Sequence, residues 1–384
     1  MTQHTTYTIT HAAKNHFAHL RNHWFLPAMA REGSIDGHPS EALISYYNTM
    51  TQKGFGLVIL EHAYVNAGGK ASPKQMGIDA TVDAAADATV DTTGGHNSDR
   101  HTFEAIAQAI HQHNVPAIMQ LSHAGQQTRA TLPQLKGPSA GVVMRAGKPT
   151  AVHELSCSEI SCLVDDFVAA AKRAQSFGFD GVEIHSAHGY LLSQFYSPLV
   201  NKRTDSYGGS LENRLRFHCE ILQAIRRELP DFPLFVRLGA RDYEDGGNTL
   251  SDAVQAACIL APYIDYLDIS GGIHDVSRHD TNPSYPLGYF SETCAAIKRE
   301  FAQRMGSANG AGAVNVDGAG GMPGAGTCAG AGTCAGATGD ARFNVPVLMA
   351  GGLTSTKDGD ALLHQGICDF AGFGRAALRN NFVL

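Results

Sequence analysis

The chain has 384 residues and a formal charge of -7, with hydrophobic residues at 43% and charged residues at 17%. That balance supplies a large core, and the absence of a basic run excludes nucleic acid or an anionic membrane surface as expected partners. Eight cysteines without a CxxC pair argue against a zinc ribbon or a cysteine-held cluster, and the polar, His-rich residues 1–20 predict neither a leader nor a membrane span, hence a cytoplasmic protein.

In chain order, short apolar runs fall at residues 25–29, 57–60, 117–121, 181–184, 234–238, 266–269, 345–349 and 370–373, and amphipathic helical patterns separate them. After the first run, Leu43, Tyr46, Tyr47 and Met50 form one stripe of a helix over 40–53 that stops at Gly54. Ser156 and Glu159 fit a capping box, followed by Ile160, Leu163, Val164, Phe167 and Val168 at helical period up to Gly178. Leu211, Leu215, Leu222, Ile225 and Leu229 mark a further helix closed by Pro230. Eight strands alternating with helices predict an α/β chain folded as a single (β/α)8 TIM barrel over residues 1–384; a doubly wound open sheet has the same local pattern.

Two segments break this rhythm. Residues 306–340 are Gly/Ala-rich and contain Ala-Gly-Thr-Cys-Ala-Gly twice, a composition that predicts a disordered insertion before strand 7, emerging on the face opposite the chemistry. Residues 79–99 repeat Asp-Ala-Thr-Val-Asp and read as a low-complexity insertion on the catalytic face, either a flap or tolerated surface.

In a barrel, polar residues at the carboxyl ends of strands converge on one mouth. Here these are Gln120, Ser122 and His123 after the third run, His185, His188 and Tyr190 after the fourth, Arg237 in the fifth, Gly351 and Gly352 after the seventh, and Gly374 and Arg375 after the eighth. The last four suit an anion: glycines let backbone N–H groups approach a phosphate, and Arg375 adds a bidentate fork. His185 and His188 read as hydrogen-bond donors to a substrate oxygen, or as metal ligands with Glu183 on the same side of the strand; the nearby Arg237 cation disfavours a dication. Tyr190 is placed either as a phenolic proton donor or as a packing residue.

At these residues the chain resembles the Old Yellow Enzyme family of FMN-dependent ene-reductases. The most specific stretch, residues 180–214, reads DGVEIHSAHGYLLSQFYSPLVNKRTDSYGGSLENR, supported by AIMQLSHAGQ at 117–126 and FVRLGARDY at 235–243. The resemblance implies FMN as cofactor and NADPH or NADH as reductant. It implies that Pro27, Ala28, Met29, Ala30 and His62 lie along the flavin, with Gln120 at its pyrimidine edge, Arg237 at N1 and O2, and Gly351, Gly352, Gly374 and Arg375 at its phosphate. It further implies that His185 and His188 hold the oxygen of an α,β-unsaturated carbonyl, with hydride passing from flavin N5 and Tyr190 supplying the proton. Ala30 and His62 depart from the family pattern, the first losing a polar contact to the ring and the second adding bulk. A flavin-dependent dehydrogenase or demethylase on the same site, and a metal-dependent barrel hydrolase using His185 and His188, are the alternative readings. The expected partner is a small-molecule substrate, and a homo-oligomer remains open.

Overall fold

The computed structural model describes residues 16, 17, 19–84, 99–273, 288–307, 340–379, 382 and 384. Eight parallel strands form the frame: β1 (Trp24–Leu26), β2 (Leu57–Ile59), β3 (Ala117–Ser122), β4 (Gly181–Ser186), β5 (Leu234–Arg241), β6 (Tyr266–Gly271), β7 (Val347–Ala350) and β8 (Phe370–Gly372). Each pairs with its chain neighbour, β8 pairs back onto β1, and the ring is therefore a closed barrel rather than an open sheet. The helices α1 (Glu41–Thr51), α2 (Asp99–His111), α3 (Cys157–Ser176), α4 (Leu211–Glu228), α5 (Leu250–Leu260), α6 (Ser291–Ser307) and α7 (Thr356–His364) follow β1 to β7 in turn.

All eight expected runs become barrel strands, because each is apolar on both faces: one face meets the helices and the other the barrel interior. The Ser156 and Glu159 capping box is formed, the hydroxyl accepting from the Glu159 N–H and the carboxylate accepting from Ser156 N. Inside the barrel the lower layer is apolar, with Phe235 stacked on Tyr266 at 4.3 Å and Leu57, Ile118, Leu348 and Phe370 around them. Phe17 packs beneath this layer, 5.6 Å from Tyr266 and 6.2 Å from Phe235, and closes the floor.

The two irregular segments are described in part. Gly306 and Ser307 end α6, and residues 340–343 form a short turn whose Phe343 packs on Phe301, so only residues 308–339 of the Gly/Ala-rich stretch lie outside the described residues. Asp79 accepts hydrogen bonds from the N–H and hydroxyl of Thr81, and Asp99 opens α2 while paired with His38; residues 85–98 between them also lie outside.

A three-stranded sheet of Leu135–Gly137, Gly141–Arg145 and Lys148–Glu154, inserted between β3 and α3, was not expected from the sequence. Its hairpin turns at Ala146 and Gly147, both with positive φ, the geometry of a two-residue primed turn. Val142 and Met144 on this hairpin are exposed, so its apolar pattern does not mark a buried face.

Candidate active site

Above the apolar floor the interior turns polar. Gln120, Glu183, Arg237 and Asp268 lie side by side on β3, β4, β5 and β6: Glu183 is in register with Gln120, and Arg237 with Asp268. The Gln120 amide N–H donates to the Glu183 carboxylate at 2.6 Å, which turns the amide oxygen away from that carboxylate. Arg237 donates through Nη1 to the Ala28 carbonyl at 3.1 Å, and its Nε lies 3.2 Å from Asp268, within ion-pair distance but out of hydrogen-bond alignment. Asp268 and Glu183 are fully buried. Burial and the neighbouring Asp268 raise the Glu183 pKa to about 8, against the opposing pull of Arg237; burial likewise raises Asp268. One guanidinium therefore faces two carboxyls, and near neutral pH the pair retains a proton.

Arg237 also lines a cavity of about 400 Å³ at the carboxyl ends of β1, β5, β7 and β8. Pro27, Ala28 and Met29 form part of its wall together with Gly351, Gly352, Thr354, Gly374, Arg375 and Arg379, and Gly374 lies close against Met29 and Pro27. Gly352 has φ +74°, and a side chain there would meet the Tyr289 ring at 2.8 Å, so both conformation and space require glycine. Arg237, Arg375 and Arg379 make this an anion-attracting cavity.

The third group of side chains gathers beside it. Beyond β4, His188 and Gly189 both take positive φ, and their N–H groups donate to the carbonyls of Gly271 and Gly272 at 3.2 and 3.1 Å, which pins the turn to the end of β6. His188 Nε2 contacts the Ser270 hydroxyl at 2.7 Å. His185 Nδ1 accepts the Ala187 N–H at 3.2 Å, so the proton of its neutral ring resides on Nε2. Burial first, then the neighbouring His188, His62 and Arg237, hold the His185 pKa well below 6.5, and the ring is neutral. The His185 ring lies 5.1 Å from His188, 4.8 Å from Tyr190 and 5.9 Å from His62. Burial raises the Tyr190 pKa, so its phenol keeps its proton at neutral pH.

The structure thus brings Pro27, Ala28, Met29, Arg237, Gly351, Gly352, Gly374 and Arg375 onto one cavity, and His62, His185, His188 and Tyr190 into one cluster. The in-register pairing of His185 with Arg237 links the two groups. Gln120 lies under them in the buried layer, whereas Ala30 is exposed and not part of the cavity wall, where Met29 stands. His123 is buried elsewhere, its Nδ1 accepting the Gly125 N–H. Among the described residues no group of three or more His, Cys, Asp or Glu is placed to hold a metal. Sequence reasoning missed Asp268, Tyr289 and Arg379. Asp268 had the same signal as Arg237, a charge inside an apolar strand run, whereas Tyr289 and Arg379 arrive from loops whose approach only barrel closure defines.

Residues 14–279 match the NADH:flavin oxidoreductase / NADH oxidase family. The chain is 36% identical over 261 residues to an NADH oxidase of Thermoanaerobacter brockii, covering 67% of this chain but only 38% of that protein. It is 37% identical over 268 residues to an NADPH dehydrogenase of Halalkalibacterium halodurans, covering 69% of this chain and 71% of the relative. Similar solved structures include a 2-naphthoyl-CoA reductase complex (TM-score 0.72, 23% identity, 94% of this chain and 49% of the other). Another is an old yellow enzyme homologue from Zymomonas mobilis (TM-score 0.64, 22% identity, 93% and 85%). At those identities the structural likeness speaks for the barrel alone, whereas the sequence matches reach the site itself: the matched segment contains β1 to β6 with the His185, His188, Tyr190 and Arg237 positions. The chain belongs to the NADH:flavin oxidoreductase / NADH oxidase family.

Proposed function

We propose that this flavoprotein oxidoreductase takes reducing equivalents from NADH or NADPH and reduces activated C=C bonds of the α,β-unsaturated carbonyl type. The observation that carries this reading is the meeting of two imidazoles and a phenol, His185, His188 and Tyr190, within ring distances of 4.8 to 5.1 Å of His185.

FMN is the family's cofactor, and the residues present fit it. Gly351, Gly352 and Gly374 with Arg375 and Arg379 suit its phosphate, and Arg237 suits the pyrimidine edge where charge collects on reduction. The Gln120 amide, tied at its NH2 to Glu183, has its oxygen left to accept an N–H. When bound, FMN supplies the hydride chemistry.

The side chains then have separable tasks. His185 presents Nε2–H to the substrate carbonyl oxygen, and His188, whose Nε2 is engaged by the Ser270 hydroxyl, approaches the same oxygen through Nδ1 from the turn pinned to Gly271 and Gly272. Donors fixed before substrate arrives favour negative charge developing on that oxygen, an oxyanion effect of about 3 kcal/mol per donor. Tyr190, protonated and largely shielded from water, delivers its phenolic proton to the α-carbon.

The test follows the two half-reactions separately. Tyr190→Phe is expected to leave reduction by nicotinamide within about twofold and to slow reoxidation by an enone roughly 100-fold or more. Equal slowing of both half-reactions in stopped-flow absorbance would refute the assignment of the proton to Tyr190.

A further inference from the structure

The cluster holds one imidazole that the reaction above does not use. His62 stands just beyond β2, with its ring 5.3 Å from Tyr190 and 5.9 Å from His185. Its orientation and protonation are set by a short chain of hydrogen bonds. The Ala71 N–H donates to the side-chain oxygen of Gln75 at 2.6 Å, so the NH2 group of Gln75 must point the other way. That NH2, with two protons to give, lies 2.6 Å from His62 Nδ1, 3.1 Å from the His62 carbonyl and 3.0 Å from Ser122 Oγ. Ser122 Oγ is itself 3.1 Å from His62 Nδ1, with its hydroxyl 3.4 Å from the Ala63 carbonyl. A ring nitrogen that faces an amide NH2 accepts, so the proton of the neutral His62 ring sits on Nε2, at the opposite edge. Burial holds the His62 pKa at about 4, which keeps the ring neutral in the working range.

His185 therefore has an imidazole on each side: His188 at 5.1 Å, assigned to the first substrate oxygen, and His62 at 5.9 Å. Gln75 spends both halves of its amide on this arrangement, on a residue only 4% exposed, which is more support than a packing ring requires. We propose that His62 Nε2–H is a further specificity-determining donor of the substrate pocket, and that the pocket is matched to an activated double bond carrying two oxygen acceptors, such as a cyclic unsaturated imide, over one carrying a single carbonyl. The proposal rests on the reductase reading for the reaction but on this chain's own geometry for the binding.

The experiment uses the FMN-loaded enzyme with three probes: succinimide, which has both oxygens but no double bond, maleimide, and 2-cyclopentenone. Binding of succinimide is read from the perturbed flavin absorbance of the oxidised enzyme, and KM and kcat are measured for the other two. His62→Ala is expected to weaken succinimide and raise the KM for maleimide roughly threefold to tenfold, the loss of one neutral hydrogen bond, and to raise the KM for 2-cyclopentenone several-fold less than that for maleimide. His62→Gln is expected to restore most of the binding, because its amide oxygen can take the Gln75 N–H while its NH2 faces the pocket. Equal losses on both substrates, no loss on either, failure of wild type to bind succinimide, or a His62→Gln variant as weak as His62→Ala would each overturn the proposal. If His62→Ala does not hold FMN, the His62→Gln comparison against wild type alone decides, and a loss of preference for succinimide there counts against the inference. Wild-type enzyme that binds succinimide through His62 yet reduces neither substrate would instead refute the reductase reading and leave this inference standing.

Discussion

Arg237 is the single cation among two buried carboxyls, and replacing it with Met isolates what it contributes. Met has a similar reach and no charge, so the cavity stays filled while Asp268, 0% exposed, loses its partner at 3.2 Å. Both Asp268 oxygens already lack an aligned hydrogen bond, and one Glu183 oxygen does as well, so no other group in the described structure takes over. Removing one member of a buried ion pair costs about 3 to 5 kcal/mol. Part of that loss is relieved where the orphaned acid can take a proton, at about 1.4 kcal/mol for each pH unit separating the medium from its raised pKa. The variant should therefore lose more stability at pH 8 than at pH 5.5. Urea denaturation of the FMN-free protein at both values measures this, alongside Arg237→Met combined with Asp268→Asn, which should recover most of the loss. A single-variant cost below about 1 kcal/mol, or a double variant no more stable than the single, would show that Arg237 and Asp268 do not act as a pair.

Two further outcomes come from the same site. Glu183, with its pKa raised from 4.5 to about 8, holds a proton in the native state that the unfolded chain has released, so stability falls as pH rises through that interval. Below pH 6.5 the buried neutral His62, His123, His185 and His218, all with lowered pKa, work in the opposite sense, so pH 6.5 to 8 is free of them, and Glu61 and His111, both raised, are the other groups that act there in the same sense as Glu183. Glu183→Gln should flatten the decline there in the FMN-free protein; an unchanged slope in chemical denaturation would locate the proton elsewhere, with Glu61, raised to about 7, the next group to replace. Gly352→Ala forces a side chain onto φ +74° and against Tyr289 at 2.8 Å, and should weaken FMN retention at least tenfold by fluorescence titration, with Arg375→Ala a parallel loss. Full retention in both would move the phosphate out of this cavity.

How much of this was legible depended on what each residue faces. The eight strands could be read because both of their faces are buried, which leaves each a mostly apolar run in which a polar residue stands out. The hairpin of residues 141–154 could not: Val142 and Met144 are apolar but exposed, and the turn is carried by Ala146 and Gly147 rather than by a strong Asn-Gly signal. Gln120 and Arg237 announced themselves as polar groups inside apolar runs, and Asp268 did so equally, yet it was legible as a partner only once β5 and β6 were in register. The tautomer of His62 was beyond reach, since Gln75 comes to it from a loop 13 residues onward and nothing local marks that meeting.

The aromatic stopper formed by Phe17 under Phe235 and Tyr266 has a kinetic corollary. With the lower end of the barrel plugged, every molecule that comes or goes must use the same doorway. On the proposed reading, electron donor and electron acceptor would come through that doorway to the same cluster of His185, His188 and Tyr190 in turn. An excess of either should then obstruct the other, and initial-rate plots should give parallel lines together with inhibition at high acceptor concentration.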